Sequence, residues 1–479
     1  MVLSRSVERV REAASHLRLS PFDTSTPEGR SRERHRRALL TGISALLAKV
    51  IAVSTSLVTI PLTLHYLGTE RFGLWMTISS VVAILGFADF GIGNGVLNAV
   101  ADAHGKDDIE EIRRSVSSAF ALLSLVGVAL LAAFATVYGL VDWGHFFNVT
   151  SQLARREAGP ATAVFILCFA LNIPADVVQR LQLGLQEGFI SKLWQLAGSL
   201  GGLVGVVVVI RLRLGLPWLI AALAGTPLLV TIANNVAFFG WMRPDLRPGF
   251  RLMSRAVMHR IARLGLLFFV LQVAVAVAYS SDNFVVAKLL GPDAVTRYSV
   301  TAKMFSIISL GLSMFLGPLW PAYGEAASRG DLAWIKRTLI RSTAAASILA
   351  ALAAIPLVVF GPAVLKFWVH QAISPSLLLL LGLGLWSVMD AAGQSVAAFL
   401  NGVSAILSQT IIATIFAVGC LTLKIYFVHK LGIAGVPWAT LLSYACISAI
   451  PLSILVPRVL ASLRKDPHQM VHSVELLNA

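Results

Sequence analysis

Several ionisable side chains stand inside long apolar runs: Lys49, Asp89, Arg180, Asp282 and Lys303, with Asp176, Asp390 and Lys424 nearer the ends of theirs. A charge at the centre of a bilayer costs about 2.5–3.5 kcal/mol on insertion scales, so one kept there marks a pathway or answers to a partner. An amine or guanidinium in such a place can hold an anion. A carboxylate in a partly dry site can take up a proton, or hold Na+ together with amides and carbonyls. Each residue also has a plainer use. Lys49 and Lys303 can pair with an acid or snorkel to the interface. Arg180 has Asp176 one turn before it. Asp89 and Asp282 can hydrogen-bond between helices; Asn283 adjoins Asp282, whereas Asn94, five residues after Asp89, is poorly placed to share its helical face.

Such residues need a membrane-spanning scaffold, and the composition supplies one. Of the 479 residues 57% are hydrophobic and 13% charged, where soluble domains carry about 25% charge. With a mean hydropathy of +0.78, an ordinary soluble enzyme is excluded. Apolar runs near the 20 or so residues that a crossing requires lie at 39–66, 73–98, 116–141, 160–185, 189–210, 216–240, 264–289, 294–320, 338–360, 376–401, 405–428 and 433–457. The expected class is an all-α polytopic membrane protein of about twelve helices. Its expected organisation is a basic tail (1–37), a six-helix lobe (38–240), a basic linker (241–263), a second six-helix lobe (264–457) and a short tail (458–479).

Lys and Arg number 26 on the side of the N-terminus and 9 on the other. The positive-inside rule therefore expects both termini, and the linker, in the cytoplasm. The net charge of +15 reads as this topological signal, and no nucleic-acid partner is expected. Trp75, Trp143, Trp218, Trp368 and Trp438 toward one interface, and Trp194, Trp241, Trp320 and Trp334 toward the other, form belts that Trp386 does not join. Val7, Val10, Ala14 and Leu17 have a helical apolar period suited to an anionic leaflet, with a disordered tail as the alternative. Cys168, Cys420 and Cys446 fall in apolar runs and read as small core residues.

The chain also contains itself twice. At an offset of 223, Leu67 and Gly68 meet Leu290 and Gly291, Glu70 meets Asp293, Asp102 meets Glu325, Lys106 meets Arg329 and Asp108 meets Asp331. At 214, Asp176 meets Asp390 and Gly188 meets Gly402; at 220, Gly215, Pro217 and Trp218 meet Gly435, Pro437 and Trp438. Six crossings per copy give both copies one orientation, a parallel repeat around a central cavity where transporters hold cargo. Lys49, Arg180 and Lys303 have no equivalent cation in the other copy, which fits an asymmetric, anionic cargo. Asp176 and Asp390 occur in both and read as structural.

The run Leu67, Gly68, Glu70, Phe72, Gly73, Leu74, Trp75, then Asp89, Phe90, Gly91, Ile92, Gly93, Asn94, Gly95, then Asp102 and Gly105 resembles the polysaccharide transporter branch of the MOP (MATE-like) flippase superfamily, which includes the O-antigen and exopolysaccharide repeat-unit flippases. The resemblance is sharpest over residues 40–115. It implies two lobes that open alternately to either side of the inner membrane and move an undecaprenyl-pyrophosphate-linked oligosaccharide outward. It also implies a cationic cavity, which Lys49, Arg180 and Lys303 fit by type, and coupling to H+ or Na+, for which Asp89 and Asp282 are the candidates. Implied partners are membrane lipids, a polysaccharide polymerase and chain-length machinery. The rival is a cation-coupled multidrug exporter of the MATE type, which would favour buried carboxylates over spare lysines.

Other classes fit less well. Gly91, Gly93 and Gly95 follow no strand, so they bend or closely pack a helix rather than cradle phosphate. No P-loop, HExxH, GxSxG or CxxC is present, and no cofactor is expected. The outer loops are too short for a catalytic domain acting on lipid-linked sugars. The sequon at Asn148 carries no weight.

Overall fold

The computed structural model describes residues 22–23, 26–85, 89–147, 149–290, 292–369 and 375–465. The tail pattern at 7–17, Asn148, Gly291 and residues 466–479 lie outside them. Among the described residues the chain is helical, without a strand. Hydrocarbon offers backbone groups no water, and a helix satisfies them within the segment. The helices are α1 (Pro27–Leu85), α2 (Ile92–Gly105), α3 (Ile109–Tyr138), α4 (Gln152–Gly184), α5 (Gly188–Arg211), α6 (Leu216–Met242), α7 (Arg255–Leu290), α8 (Pro292–Leu316, then Leu319–Ser328), α9 (Leu332–Val369), α10 (Leu377–Gly402), α11 (Ile406–Leu431) and α12 (Gly435–Ser443, running on through Ile450–Lys465).

Among the described residues ten stretches are long and apolar enough to cross a bilayer, and the last, Ile406–Leu463, has 58 residues. At 1.5 Å per residue it would reach about 87 Å, so it holds two crossings, joined at the 3-10 turn Gly432–Ala434. Likewise α1 runs on past the Gly68 kink to Leu85, and α2 follows from Ile92. The twelve-crossing expectation is met.

The described residues form two compact units. One holds His35–Leu266; the other holds Phe22–Arg34 and the residues from Leu267 onward. The division does not follow the loops: the first turns of α1 group with the second unit and those of α7 with the first. Thus Ile261 and Val257 join the first unit's core beside Ile92, Val96 and Ile112. There Gly95 lets α7 close in, since a Cβ on it would lie 2.8 Å from the Ile261 carbonyl oxygen. In the second unit Arg34, 2% exposed, meets Glu325 at 3.2 Å and Asp331 at 2.8 Å and lies over the Trp334 ring. Trp334 is therefore a buried partner of the N-terminal arm rather than part of a belt. Trp218 and Trp241 are exposed as a belt requires, and Cys446 is exposed rather than core.

The repeat is visible in detail. Lys106 bridges to Asp102, and Arg329 to Glu325, both at 2.8 Å. The turns between them and the next helix carry positive φ at Asp107 and Gly330. Asp108 then caps the amide of Glu111 at 2.9 Å, and Asp331 that of Trp334 at 3.2 Å. In the fourth and fifth helices of each copy the register is corrected. A Cβ on Gly184 would meet Val100 and the Leu97 oxygen, and one on Gly402 would meet Tyr323 and the Trp320 oxygen; Leu97 and Val100 are the counterparts of Trp320 and Tyr323. Gly184, not Gly188, therefore matches Gly402, and the offset is 218 rather than 214. The positive-φ residues Gln186 and Ser404 fall into the same register. Packing glycines and turns decide it, because the apolar positions around them are interchangeable.

The motif between Gly68 and Trp75 builds one corner of the first unit. Gly68 kinks α1 at φ 75°, ψ 171°, a conformation essentially reserved for glycine. Two residues on, the Glu70 carboxylate accepts from the amides of Thr150 and Ser151, at 2.5 and 2.9 Å, and from the Thr150 hydroxyl at 2.8 Å. Ser151 is the N-cap of α4, so Glu70 helps to satisfy the first amides of that helix. Arg71 grips Glu157 at 2.7 Å, and Glu157 also accepts from the Leu216 amide that opens α6.

The hydrogen bonds of Ser151, first its side chain and then its amide, with those of Thr150, hold the Glu70 pKa down to about 2. A depressed carboxylate contributes stability that is present above the unfolded value, near 4.5, and is lost as pH falls toward about 2. Glu70→Gln is expected to flatten the fall in thermal midpoint across that window, measured on purified protein in detergent. Gly68→Ala is expected to cost about 1–3 kcal/mol in the same assay; an unchanged midpoint would show that the kink is not strained for other residues.

Candidate functional site

In the first unit the polar residues converge where α1 gives way to α2. Asp89 Oδ1 accepts from the Gly91 amide at 2.9 Å, and the Asp89 carbonyl accepts from Ile92 at 2.9 Å. Phe90 and Gly91 have positive φ, which Gly91 adopts without steric cost. This break turns Asp89 and Asn94 toward the same guanidinium, although they would lie on different faces of an unbroken helix. Arg180 of α4 donates to Asn94 Oδ1 at 2.9 Å. A Cβ on Gly93 would lie 2.8 Å from Arg180 Nε and 3.0 Å from Asp89 Oδ2. The motif residues thus divide the work: Asp89 caps the turn, Gly91 makes it, Gly93 leaves room for Arg180, and Asn94 binds it.

The expected one-turn pair between Asp176 and Arg180 does not form. Asp176 instead accepts from Asn172 at 2.7 Å and Gln179 at 2.6 Å. Gln179 accepts in turn from Gln195 at 2.6 Å and Ser191 at 3.2 Å, and Lys192 donates to Gln195 at 3.1 Å. This chain of amides leads from α5 to a cavity of about 130 Å³ bordered by Asp89, Gly93, Phe169, Asn172, Asp176 and Arg180. That is room for several waters. Two carboxylates and one guanidinium border it. Such a site can exchange a proton or hold a small cation between the acids.

In the second unit Asp282 of α7 is paired. Lys424, wholly buried, donates to Asp282 Oδ1 and to the Ala278 carbonyl oxygen, and the Tyr298 hydroxyl donates to Asp282 Oδ2 at 2.6 Å. Lys424, in the last third of α11, is therefore the counter-charge of Asp282, while Asn283, one residue on, is exposed. Asp390 accepts from Ser309 and Gln394, both at 2.6 Å. With the corrected register Asp390 matches Asn172 and Gln394 matches Asp176, so each copy has a carboxylate and an amide one turn apart with their order exchanged. The acids are not equivalent positions, as the shorter offset had implied. Trp386, the tryptophan outside the belts, packs against Tyr279 and Tyr444, each at 5.6 Å.

Lys49 on α1 and Lys303 on α8 are exposed, each on its own unit. Among the described residues neither ammonium group has an ion-pair partner, and their exposure accords with the snorkelling reading as well as with an open binding face. Reasoning from sequence missed Tyr298 and the glutamines of α4 and α5, because a tyrosine or glutamine in an apolar run gives no signal until its partner is known.

The sequence profile of the family described as Polysaccharide biosynthesis protein matches residues 39–327. A Yersinia pseudotuberculosis protein named for O-antigen export is 20% identical over 306 residues, 61% of this chain and 66% of its own length. A Salmonella typhimurium protein named as an O-antigen transporter is 21% identical over 294 residues, 60% of this chain and 65% of its own. The chain thus spans just under two thirds of the length of these curated relatives. An outward-facing multidrug resistance MATE family transporter of the MOP superfamily has a TM-score of 0.75 at 16% identity, covering 90% of this chain and 97% of its own. A MOP superfamily transporter from Pyrococcus furiosus Vc1, described by the reverse polarity of its binding pocket, matches with the same score, identity and coverage. At that identity the likeness is one of fold.

Two substitutions check the geometry. Gly93→Ala puts a methyl group against Arg180 and is expected to break its bond to Asn94, costing about 1–3 kcal/mol as overpacking does. Lys424→Ala strands Asp282 and is expected to cost about 3–5 kcal/mol, much of which Lys424→Met with Asp282→Leu recovers. Thermal unfolding reads both; wild-type stability in Lys424→Ala would remove the ion pair from the account.

Proposed function

Given that the chain belongs to the polysaccharide biosynthesis protein family, we propose that it is a flippase carrying an undecaprenyl-pyrophosphate-linked oligosaccharide from the inner to the outer leaflet of the cytoplasmic membrane by alternating access, for cell-surface or exopolysaccharide synthesis. A transporter rather than an enzyme accords with the names of its relatives and with the twelve-crossing MATE-like fold. The lipid-linked cargo accords with the O-antigen names of the two curated relatives.

The observation that carries the reading is the set of cations. Arg180 is held at a membrane-embedded cavity by Gly93 and Asn94 of the family motif, and Lys49 and Lys303 present unpaired ammonium groups. Such groups attract a pyrophosphate by charge, and we assign all three to cargo binding. Asp89, beside Arg180, is assigned to coupling with H+ or Na+. Asp282 is assigned to the same role with Lys424 as its resident counter-charge: a proton on Asp282 would release the lysine. The distribution of Lys and Arg supports a cytoplasmic assignment of both termini, and a polymerase with its chain-length machinery is the expected consumer of the product.

A multidrug exporter of the MATE type is the second reading, favoured by the fold of the solved neighbours and by the paired acids Asp89 and Asp176. It expects cationic drugs, and unpaired lysines repel them.

The deciding experiment is a leaflet-resolved assay of labelled lipid-linked oligosaccharide in vesicles. Lys49→Ala, Arg180→Ala and Lys303→Ala are each expected to slow transfer about tenfold or more, the worth of one charge-assisted hydrogen bond of about 1.5–3 kcal/mol, with membrane insertion retained. Full transfer by the Lys49→Ala/Lys303→Ala double variant would remove the anion site. Transport of organic cations with no movement of the lipid would favour the exporter.

A further inference from the structure

The segment joining α6 to α7 carries four arginines and one aspartate in residues 241–255. Its backbone is pinned to the first unit. Leu246 is wholly buried in the core beside α2 and α3, the Gly249 amide donates to Ser117 Oγ at 3.1 Å, and that of Ser254 to Ser118 Oγ at 3.2 Å. The one aspartate, Asp245, is taken by Arg243 at 2.9 Å. From this ordered loop Trp241 is 76% exposed and Phe250 is 89% exposed. Arg247, Arg251 and Arg255 are exposed between and beyond them and have no ion-pair partner among the described residues.

A loop whose amides are satisfied gains nothing from folding with a phenylalanine in water. The helix of the sixth crossing ends at Met242 and that of the seventh begins at Arg255, so the loop lies between two membrane-spanning helices rather than within hydrocarbon. Aromatic rings and arginines interleaved there suit an apolar boundary under a layer of phosphates. The phosphate sign is what three unpaired arginines select. We propose that residues 241–255 are a docking surface for anionic phospholipid headgroups, with Trp241 and Phe250 seated at the acyl boundary and Arg247, Arg251 and Arg255 on the phosphates. The surface would tie the first unit to its leaflet whatever the cargo is, and so goes beyond the flippase reading.

The test uses the full chain in nanodiscs of phosphatidylcholine alone or with one third phosphatidylglycerol. A lipid that binds the folded state raises the thermal midpoint. The wild type is expected to gain midpoint with phosphatidylglycerol and to lose that gain in high salt. Each arginine is worth about fivefold in headgroup affinity. Arg247→Gln/Arg251→Gln/Arg255→Gln should therefore lose the gain while matching the wild type in phosphatidylcholine, and the corresponding triple lysine variant should keep it. Phe250→Ser should shrink the gain and leave its salt dependence. A triple glutamine variant that still responds, a gain indifferent to salt, or a response to undecaprenyl pyrophosphate but not to phosphatidylglycerol would overturn the proposal.

Discussion

Inside hydrocarbon a broken helix has no water to satisfy its loose backbone groups, and this chain breaks one at Asp89–Gly91. The repair is local and polar. Asp89 folds back onto the Gly91 amide, Gly91 takes the left-handed conformation, and the next turn begins with Gly93 and Asn94 facing Arg180. A guanidinium could not be left there unanswered, and a larger residue at Gly93 would exclude it. The run from Asp89 to Asn94 is thus first a solution to a backbone problem, and the same solution leaves a charged cavity with room for several waters.

Duplication set the frame in which this asymmetry arose. The corners at Asp102–Asp108 and Glu325–Asp331 retain the same ion pair, turn and cap, and Gly184 and Gly402 mark the same close approach. Packing positions resist change because a misplaced methylene is felt throughout a dense interior. Polar positions diverged. The first unit keeps an open cluster around Arg180, whereas the second answers Asp282 with a buried lysine from α11 and a tyrosine from α8. On the proposed reading the two units share a fold and divide the chemistry: one orients a cation toward cargo, the other holds an ion pair that a proton can open.

The ends of the first helices add a further constraint. Arg34, on the first turns of α1, is buried with the acids of the second unit, and Val257 and Ile261, on the first turns of α7, are buried in the core of the first. Neither helix belongs wholly to the copy it opens. A basic N-terminal arm that composition marks only as charge is, from Arg34 on, part of the packed protein.

What the residues alone determine here is large. Hydropathy, the positive-inside count and an offset of 223 establish a duplicated helical membrane protein, since each is a periodicity or a sum that survives without coordinates. The run at 67–95 carries the resemblance that led to the expectation of a polysaccharide transporter, and Asp89, Arg180 and Asp282 are legible as charges that lipid does not tolerate. Partnership is what tertiary structure decides. Asp176 passes over Arg180, one turn away, for neighbouring amides; Asn94 reaches Arg180 because the helix between it and Asp89 is broken; Lys424 finds Asp282 across 142 residues of sequence; and the register of the later helices follows glycine contacts rather than matching letters. A charge can be counted from a sequence, but its counter-charge is selected by distance and burial, which exist only once the helices are packed.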